Sequence, residues 1–563
     1  MKRARVLVPF LVFIAACSTD PLRVIPVEPP DPPEVQIGER LFLEGRFAER
    51  FASGSAGDVN RAGIADPALA SLDTTGAARP GPFAGATMNC RNCHLVDDSP
   101  EPDGRGTRTY ADFARQSPIP ARDDGRTRTP RNAPSLVDAT VEREVPFVLH
   151  FDGEFATTAD LIEGTWTGRN LGWLPEEHAA ARRQIAAVVR GDDGNGTLAA
   201  QFGGFSYATL LAGTDPAIPP ELRLGADRRL DVSTASDDEL VSAAVGLVES
   251  YLDGLRFSRD LRTGDFDGSP FDQFVTLNRL PSRPDAGESA IAYARRLRAA
   301  LAQLREPVWV RDGADGELEL HGHGFVFGPS ELDGLLVFLS EADAPATNPS
   351  PRLPSRSRGT GNCLACHAPP EFSDFGMHNV GVSQEAYDSV HGAGVFARLA
   401  VPTLAERDAD PDRWLPPSAA HPRAAGPFLA IPDLGHPERA DLGAWNVVAN
   451  PSVPRPQPAL ATLVRRASHR AAELAMDPAE LLALSVGLFK TPVLRDLGQS
   501  GPYFHDGSKD TRAEVIAHYR RFSELARAGE VRNGAAELAA IELTADDVPP
   551  LVAFLEALDE DYD

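Results

Sequence analysis

Cys-x-x-Cys-His occurs twice in this chain, at residues 90–94 and again at 363–367. In each copy two thiols can add across the vinyl groups of a porphyrin, and the adjacent imidazole can then ligate its iron. Only five cysteines occur in 563 residues, and Cys90, Cys93, Cys363 and Cys366 account for four of them. A zinc site joining both pairs through all four thiolates is the competing use of such residues. The histidine that follows directly in both copies, His94 and His367, argues for two covalently bound haem c groups instead.

The fifth cysteine bears on location. Lys2, Arg3 and Arg5 precede an apolar run, Val6 to Ala16, that is too short to span a bilayer comfortably. It ends Ile14-Ala15-Ala16-Cys17, which resembles a bacterial lipobox. That resemblance implies a lipoprotein signal peptide over residues 1–16, lipidation of Cys17, and a periplasmic protein anchored to a membrane of the cell envelope. The alternative, plain secretion with Cys17 removed, also puts the folded part outside the cytoplasm. Residues 17–34 are Pro-rich and read as a stiff extended tether. No later segment is long and apolar enough to span a membrane. A net charge of −26 argues against nucleic acid and against docking on anionic lipid, so membrane contact is expected through the lipid anchor only. The same charge favours a cationic electron donor.

Apolar periodicity marks helices on both sides of each motif. Ile37, Leu41 and Phe42 share one face of a helix at 35–47, and Leu240, Ala244, Leu247 and Tyr251 one face of a longer helix at 237–255. Further helices are expected at 175–190, 288–304, 330–341 with Ser330 as N-cap, 477–488 and 544–558, and a hairpin at 308–327. The chain contains 48 Gly and 49 Pro, so long loops are expected, and residues 384–457 read as a mostly irregular excursion. Each half thus reads helix, haem motif, loops, helix. The fold class is mainly α, with two cytochrome c-like domains and long irregular insertions. The N-terminal domain (haem 1, peroxidatic) is read at 35–262, a connector at 263–329, and the C-terminal domain (haem 2) at 330–563.

The blocks FKTPVLRD at 489–496 and GPYFHDG at 501–507 resemble the bacterial di-haem cytochrome c peroxidase superfamily, including its MauG branch. PRNAPS at 130–135, FDG at 151–153, SPFD at 269–272 and His378-Asn379-Val380-Gly381 are similar to shorter family segments. In peroxidases of this superfamily a Met stands fourteen residues after the His of PYFHDG; here that position is Tyr519, as in the MauG branch. The resemblance implies Tyr519 as the second axial ligand of haem 2, with a packed core tyrosine, or ligation by the neighbouring His518, as the alternatives. Phenolate is a hard anionic donor that favours ferric iron, whereas Met sulfur favours ferrous iron.

No histidine occurs from Leu95 to Leu149, where many family members carry a distal ligand, so the first iron is expected to be open unless His150 fills it. The family's Trp before Asp-Gly is Phe151 here, and its catalytic Glu has no clean match. His150 and Glu154 are the acid–base candidates. Phe151 holds the relay position, and Trp166 or Trp173 is a replacement aromatic. Asn132, Ser500 and Pro502 match the positions that hold one calcium ion in the family, and oxygen donors suit that ion. The activity implied is that of a di-haem peroxidase-like oxidoreductase. It would use hydrogen peroxide, or dioxygen plus electrons, to oxidise a substrate or an electron-donor protein such as a cytochrome or cupredoxin. Two other readings stand beside it: a di-haem dioxygenase resembling the rubber oxygenases, and a non-enzymatic di-haem electron carrier.

Overall fold

The computed structural model describes residues 31–70, 87–94, 116–311, 323–344, 358–470 and 476–560. The signal peptide, Cys17, most of the tether, much of the loop after the first motif and the centre of the 308–327 hairpin lie outside them. The fold is mainly α. The helices of eight residues or more are α1 (Pro33–Phe42), α2 (Thr158–Trp166), α3 (His178–Gly191), α4 (Asp237–Gly254), α5 (Pro270–Leu277), α6 (Ala290–Gln303), α7 (Pro329–Phe338), α8 (Val382–His391), α9 (Gln457–Ala467), α10 (Arg512–Arg527) and α11 (Val548–Glu556). The one sheet among the described residues pairs β1 (Met377–His378) antiparallel to β2 (Phe489–Lys490).

The two halves repeat one packing device. In the first, α1 crosses α4 at Gly38, where a Cβ would overlap the Leu247 carbonyl oxygen. In the second, α7 crosses α11 at Gly334, where a Cβ would overlap the Pro550 carbonyl oxygen. Only a residue without a side chain lets two helix backbones approach so closely. α4 starts at a capping box, with Ser236 N–H donating to Glu239 Oε2 at 2.8 Å and Glu239 N–H to Ser236 Oγ at 3.2 Å. It buries Leu240, Val241, Ala244, Leu247, Val248 and Tyr251 against α1. α7 starts at Gly328, not at Ser330 as the sequence suggested: Gly328 N–H donates to Glu331 Oε2 at 2.8 Å, Pro329 takes the first helical position, and Ser330 falls within the first turn.

Each haem motif hangs from the end of its first helix. Asn89 Nδ2 donates to Leu43 O at 2.9 Å, just past α1. Asn362 N–H donates to Ser340 O at 3.0 Å, just past α7. The connector packs with the second half: Phe271 and Phe274 of α5 and Leu297 of α6 share a core with Phe338, Phe372 and Phe554. A buried ion pair ties it to the FKTPVLRD block, with Arg495 donating to Asp272 at 2.8 and 3.0 Å.

Residues 384–457 are more ordered than their composition implied. Phe396, Phe428, Leu442, Trp445, Leu460 and Leu463 form a third core with Val145 and Val148 from the first half. Arg407, fully buried, donates to Trp445 O and Val448 O, each at 2.8 Å, and so satisfies loop carbonyls that no helix or sheet pairs. The apolar residues here follow neither helical nor strand spacing, so periodicity could not reveal them.

Candidate haem sites

The two Cys-x-x-Cys-His segments adopt the same turn. Cys93 N–H and His94 N–H both donate to Cys90 O, at 3.1 and 2.9 Å, and Cys366 N–H and His367 N–H both donate to Cys363 O, at 3.2 and 2.8 Å. All four thiols are free, and a zinc site shared by the two pairs is excluded by position: the sole group of three His, Cys, Asp or Glu ligands converging within 4.8 Å among the described residues is His150, Asp152 and Glu154. Burial pushes the Cys90 and Cys363 thiols up to about 12, which keeps them protonated at neutral pH.

Each imidazole is fixed in one tautomer. His94 Nδ1 lies 3.0 Å from Pro134 O, and His367 Nδ1 lies 2.9 Å from Phe372 O. A carbonyl only accepts, so Nδ1 carries the proton and Nε2 keeps its lone pair for a metal. Burial, with a smaller contribution from His150, pushes His94 down to about 4, and burial also lowers His367. Both rings are neutral at neutral pH, as iron ligation requires.

Around His367 lies a largely apolar cavity of about 260 Å³ that opens to solvent. Cys363, Cys366, His367, Phe504 and Tyr519 line it from the second half, and Asn132, Pro134 and Phe151 from the first. The Tyr519 hydroxyl has no hydrogen-bond partner among the described residues. Burial, then the Cys366 and Cys363 thiols, push its phenol up in the metal-free pocket; a ferric ion facing it would reverse that preference. His518 is not available as the ligand, because its Nδ1 lies 2.6 Å from Glu385 Oε2 and its Nε2 lies 2.9 Å from Val380 O. Lys490 also lines the space, and burial, followed by the nearby Arg143 charge, pushes its ammonium down to about 7. A half-buried amine with no carboxylate partner among the described residues suits a porphyrin propionate. The donor set, the tautomers and the space all fit a covalent haem.

The first and second halves meet at the seam beside this space. Lys490 N–H donates to Phe151 O at 2.7 Å, and Asn132 N–H donates to His505 O at 2.8 Å. The Phe151 ring centroid is 6.4 Å from that of His505, which stacks on Phe489 at 3.5 Å. Arg131 clamps the seam, donating to Asp152 at 2.5 Å and to Asp441 at 2.7 and 2.8 Å. Phe151 therefore sits between the halves. Trp166 does not: it is buried in the first core, edge-on to Phe47 at 4.8 Å and against Cys90. Trp173 is likewise packed, with Nε1 donating to Phe47 O at 3.0 Å.

His150 and Glu154 come together on a tight loop closed by Leu149 N–H donating to Phe155 O at 2.8 Å. His150 adopts a φ of 62°, and its Nδ1 lies 3.2 Å from Glu154 Oε2. Burial would raise the Glu154 carboxyl, but His150, Arg131 and Arg126 together hold it low, so it is ionised. Asp152 is occupied by Arg131. At the candidate calcium position, Asn132 Nδ2 donates to Pro502 O at 2.5 Å while its Oδ1 is buried without a partner. Ser500 and Pro502 line the same space. The sequence reading missed Asp441 and Glu385, which lie in the segment read as an irregular excursion and carry no local signal. It also passed over Lys490, a letter of the FKTP block.

No protein-family model matches the chain. A stretch of 73 residues is 38% identical to cytochrome-c peroxidase IdrP1 of Denitromonas iodatirespirans, covering 13% of this chain and 18% of that protein. A stretch of 71 residues is 41% identical to the methylamine utilization protein MauG of Methylorubrum extorquens, covering 12% and 18%. The chain thus spans under a fifth of the length of these curated relatives. Among solved structures it is similar to a MauG-like protein associated with microbial copper homeostasis, with 14% identity, a TM-score of 0.42, and 95% and 91% of the two chains covered. The diheme peroxidase BthA from Burkholderia thailandensis gives 17%, 0.42, and 95% and 87%. Both local sequence matches are to members of the di-haem peroxidase and MauG superfamily, the one that the PYFHDG block resembles.

Proposed function

We propose that this relative of the di-haem peroxidase and MauG proteins is a di-haem c-type oxidoreductase that oxidises a donor protein or substrate outside the cytoplasm. The observation that carries the reading is the repeated turn at 90–94 and 363–367, each presenting two thiols and a neutral imidazole with Nε2 free. Haem, when bound, supplies redox chemistry with hydrogen peroxide, or dioxygen plus electrons, as oxidant. Cys90, Cys93 and His94 would hold the first group, and Cys363, Cys366, His367 and the Tyr519 hydroxyl would hold the second. His150, braced through Nδ1 by Glu154, keeps Nε2 to take or return a proton at the first site. Phe151, Phe489 and His505 exclude water from the seam. A phenyl ring is hard to oxidise, so Phe151 serves transfer between the halves as a bridge and not as a stopping point.

The partnerless Asn132 Oδ1, with Ser500 and Pro502 nearby, supports a cation held at the seam. Periplasmic location and a lipid anchor at Cys17 rest on the N-terminal sequence; no helix of the described residues is long and apolar enough to cross a membrane. The test is stopped-flow absorbance of the ferric holoprotein with peroxide. Rapid bleaching or shift of one Soret component, followed by return on adding a reduced cytochrome or cupredoxin, supports the proposal. Oxygen consumption with cleaved products and no peroxide requirement would favour a dioxygenase instead. Two inert six-coordinate irons would favour an electron carrier.

A further inference from the structure

Tyr519 lines the cavity from α10, and α8 grips that helix at the adjacent residue, His518. Successive residues in an α-helix project about 100° apart, so fixing the direction of His518 fixes that of Tyr519. His518 is held at both ring nitrogens, with Nδ1 2.6 Å from Glu385 Oε2 on α8 and Nε2 2.9 Å from Val380 O just before α8. Glu385 also holds Lys509 at 2.9 Å, ahead of α10, and Arg521 on α10 at 3.2 Å. The His518 ring stacks on Phe522 at 4.3 Å. Phe522 in turn presses on Gly381, whose φ is 86° and where a Cβ would overlap the phenyl ring. Burial alone would raise the Glu385 carboxyl; His518 and Lys509 outweigh it and hold it at about 2, so the brace is a charged one.

We propose that Glu385 is a positioning residue for haem ligation: from α8 it sets the rotation of α10 that delivers the Tyr519 hydroxyl to the second iron. The inference rests on Tyr519 being that ligand. Releasing the brace leaves the ligand in place but makes it easier to displace. Loss of one charge-assisted hydrogen bond corresponds to about a tenfold change in such an equilibrium.

The experiment uses the ferric holoprotein and its phenolate-to-iron charge-transfer band, titrated with imidazole as competing ligand. In Glu385→Gln the imidazole concentration that abolishes the band is expected to fall about tenfold, and in Lys509→Met to fall less but in the same direction. Tyr519→Phe lacks the band altogether. If Glu385→Gln titrates like the wild type while Tyr519→Phe lacks the band, the brace is overturned and the ligand stands. If the wild type and Tyr519→Phe have the same spectrum, the ligand reading fails and the brace with it. Should Glu385→Gln fail to load haem, an unchanged titration in Lys509→Met overturns the proposal.

Discussion

Arg131→Met removes the guanidinium that bridges two buried carboxylates and leaves both behind. Asp152 and Asp441 approach the guanidinium to 2.5 and 2.7 Å, and the side chains of Asp152, Asp441 and Arg131 are 4%, 2% and 9% exposed respectively. Breaking a buried ion pair by deleting one partner costs about 3–5 kcal/mol, since the remaining charge stays desolvated. Here two charges are stranded, so the upper end applies, a shift of over a thousandfold in the opening equilibrium of the seam. The pH dependence follows from Asp441. Burial raises its carboxyl, but Arg131 outweighs burial and holds it below the ordinary value. In the wild type this stabilisation is fully present above the unfolded carboxylate value of about 3.9 and is lost as pH falls through the lower folded value. In the variant burial is opposed only by His505 and the Gly443 N–H, the folded carboxyl lies higher than in the wild type, and the destabilisation is greatest at neutral pH and relaxes on acidification. Guanidinium unfolding of the holoproteins, followed by Soret absorbance, should show a large loss of midpoint for the variant at pH ~7 that narrows toward pH ~4. Equal midpoints at neutral pH, or a gap that does not narrow, would refute the reasoning.

Glu154→Gln is expected to slow the peroxide reaction by about 10²–10⁴-fold with haem content unchanged, by stopped-flow and pyridine haemochrome assay. Gly334→Ala should destabilise the fold by about 1–3 kcal/mol or more, read from the denaturation midpoint, because its methyl meets the Pro550 carbonyl at the α7–α11 crossing. The double change Cys363→Ser with Cys366→Ser should leave one covalent haem in the intact mass and not two, with the first site still loaded.

The helix pairs were readable because amphipathic spacing and capping chemistry agreed. Ser236 with Glu239 and Thr511 with Glu514 cap their helices, and Gly38 and Gly334 sit in matching positions before each Cys-x-x-Cys-His motif. The candidate haem-attachment residues were legible because that chemistry needs a contiguous pentapeptide. Tyr519 was visible only through its offset from the PYFHDG block, since periodicity alone describes a core tyrosine equally well. Distal-side residues were less legible: His150 and Glu154 depend on a left-handed turn at 150, and a sequence does not display φ. Trp166 carried the aromatic character of a relay but packs against Phe47 in a core 15 residues after the seam position at Phe151. The brace at Glu385 and the clamp at Asp441 come from an insertion whose apolar residues have no regular period, and their partners lie 133 and 310 residues away in sequence.

Two porphyrins in unlike coordination are the core of the account, and electron paramagnetic resonance of the oxidised holoprotein addresses that directly. The wild type should give two distinct ferric signals, one high-spin and responsive to peroxide, and Tyr519→Phe should alter only the other. Two equivalent low-spin signals, untouched by peroxide and by the loss of the Tyr519 hydroxyl, would contradict it.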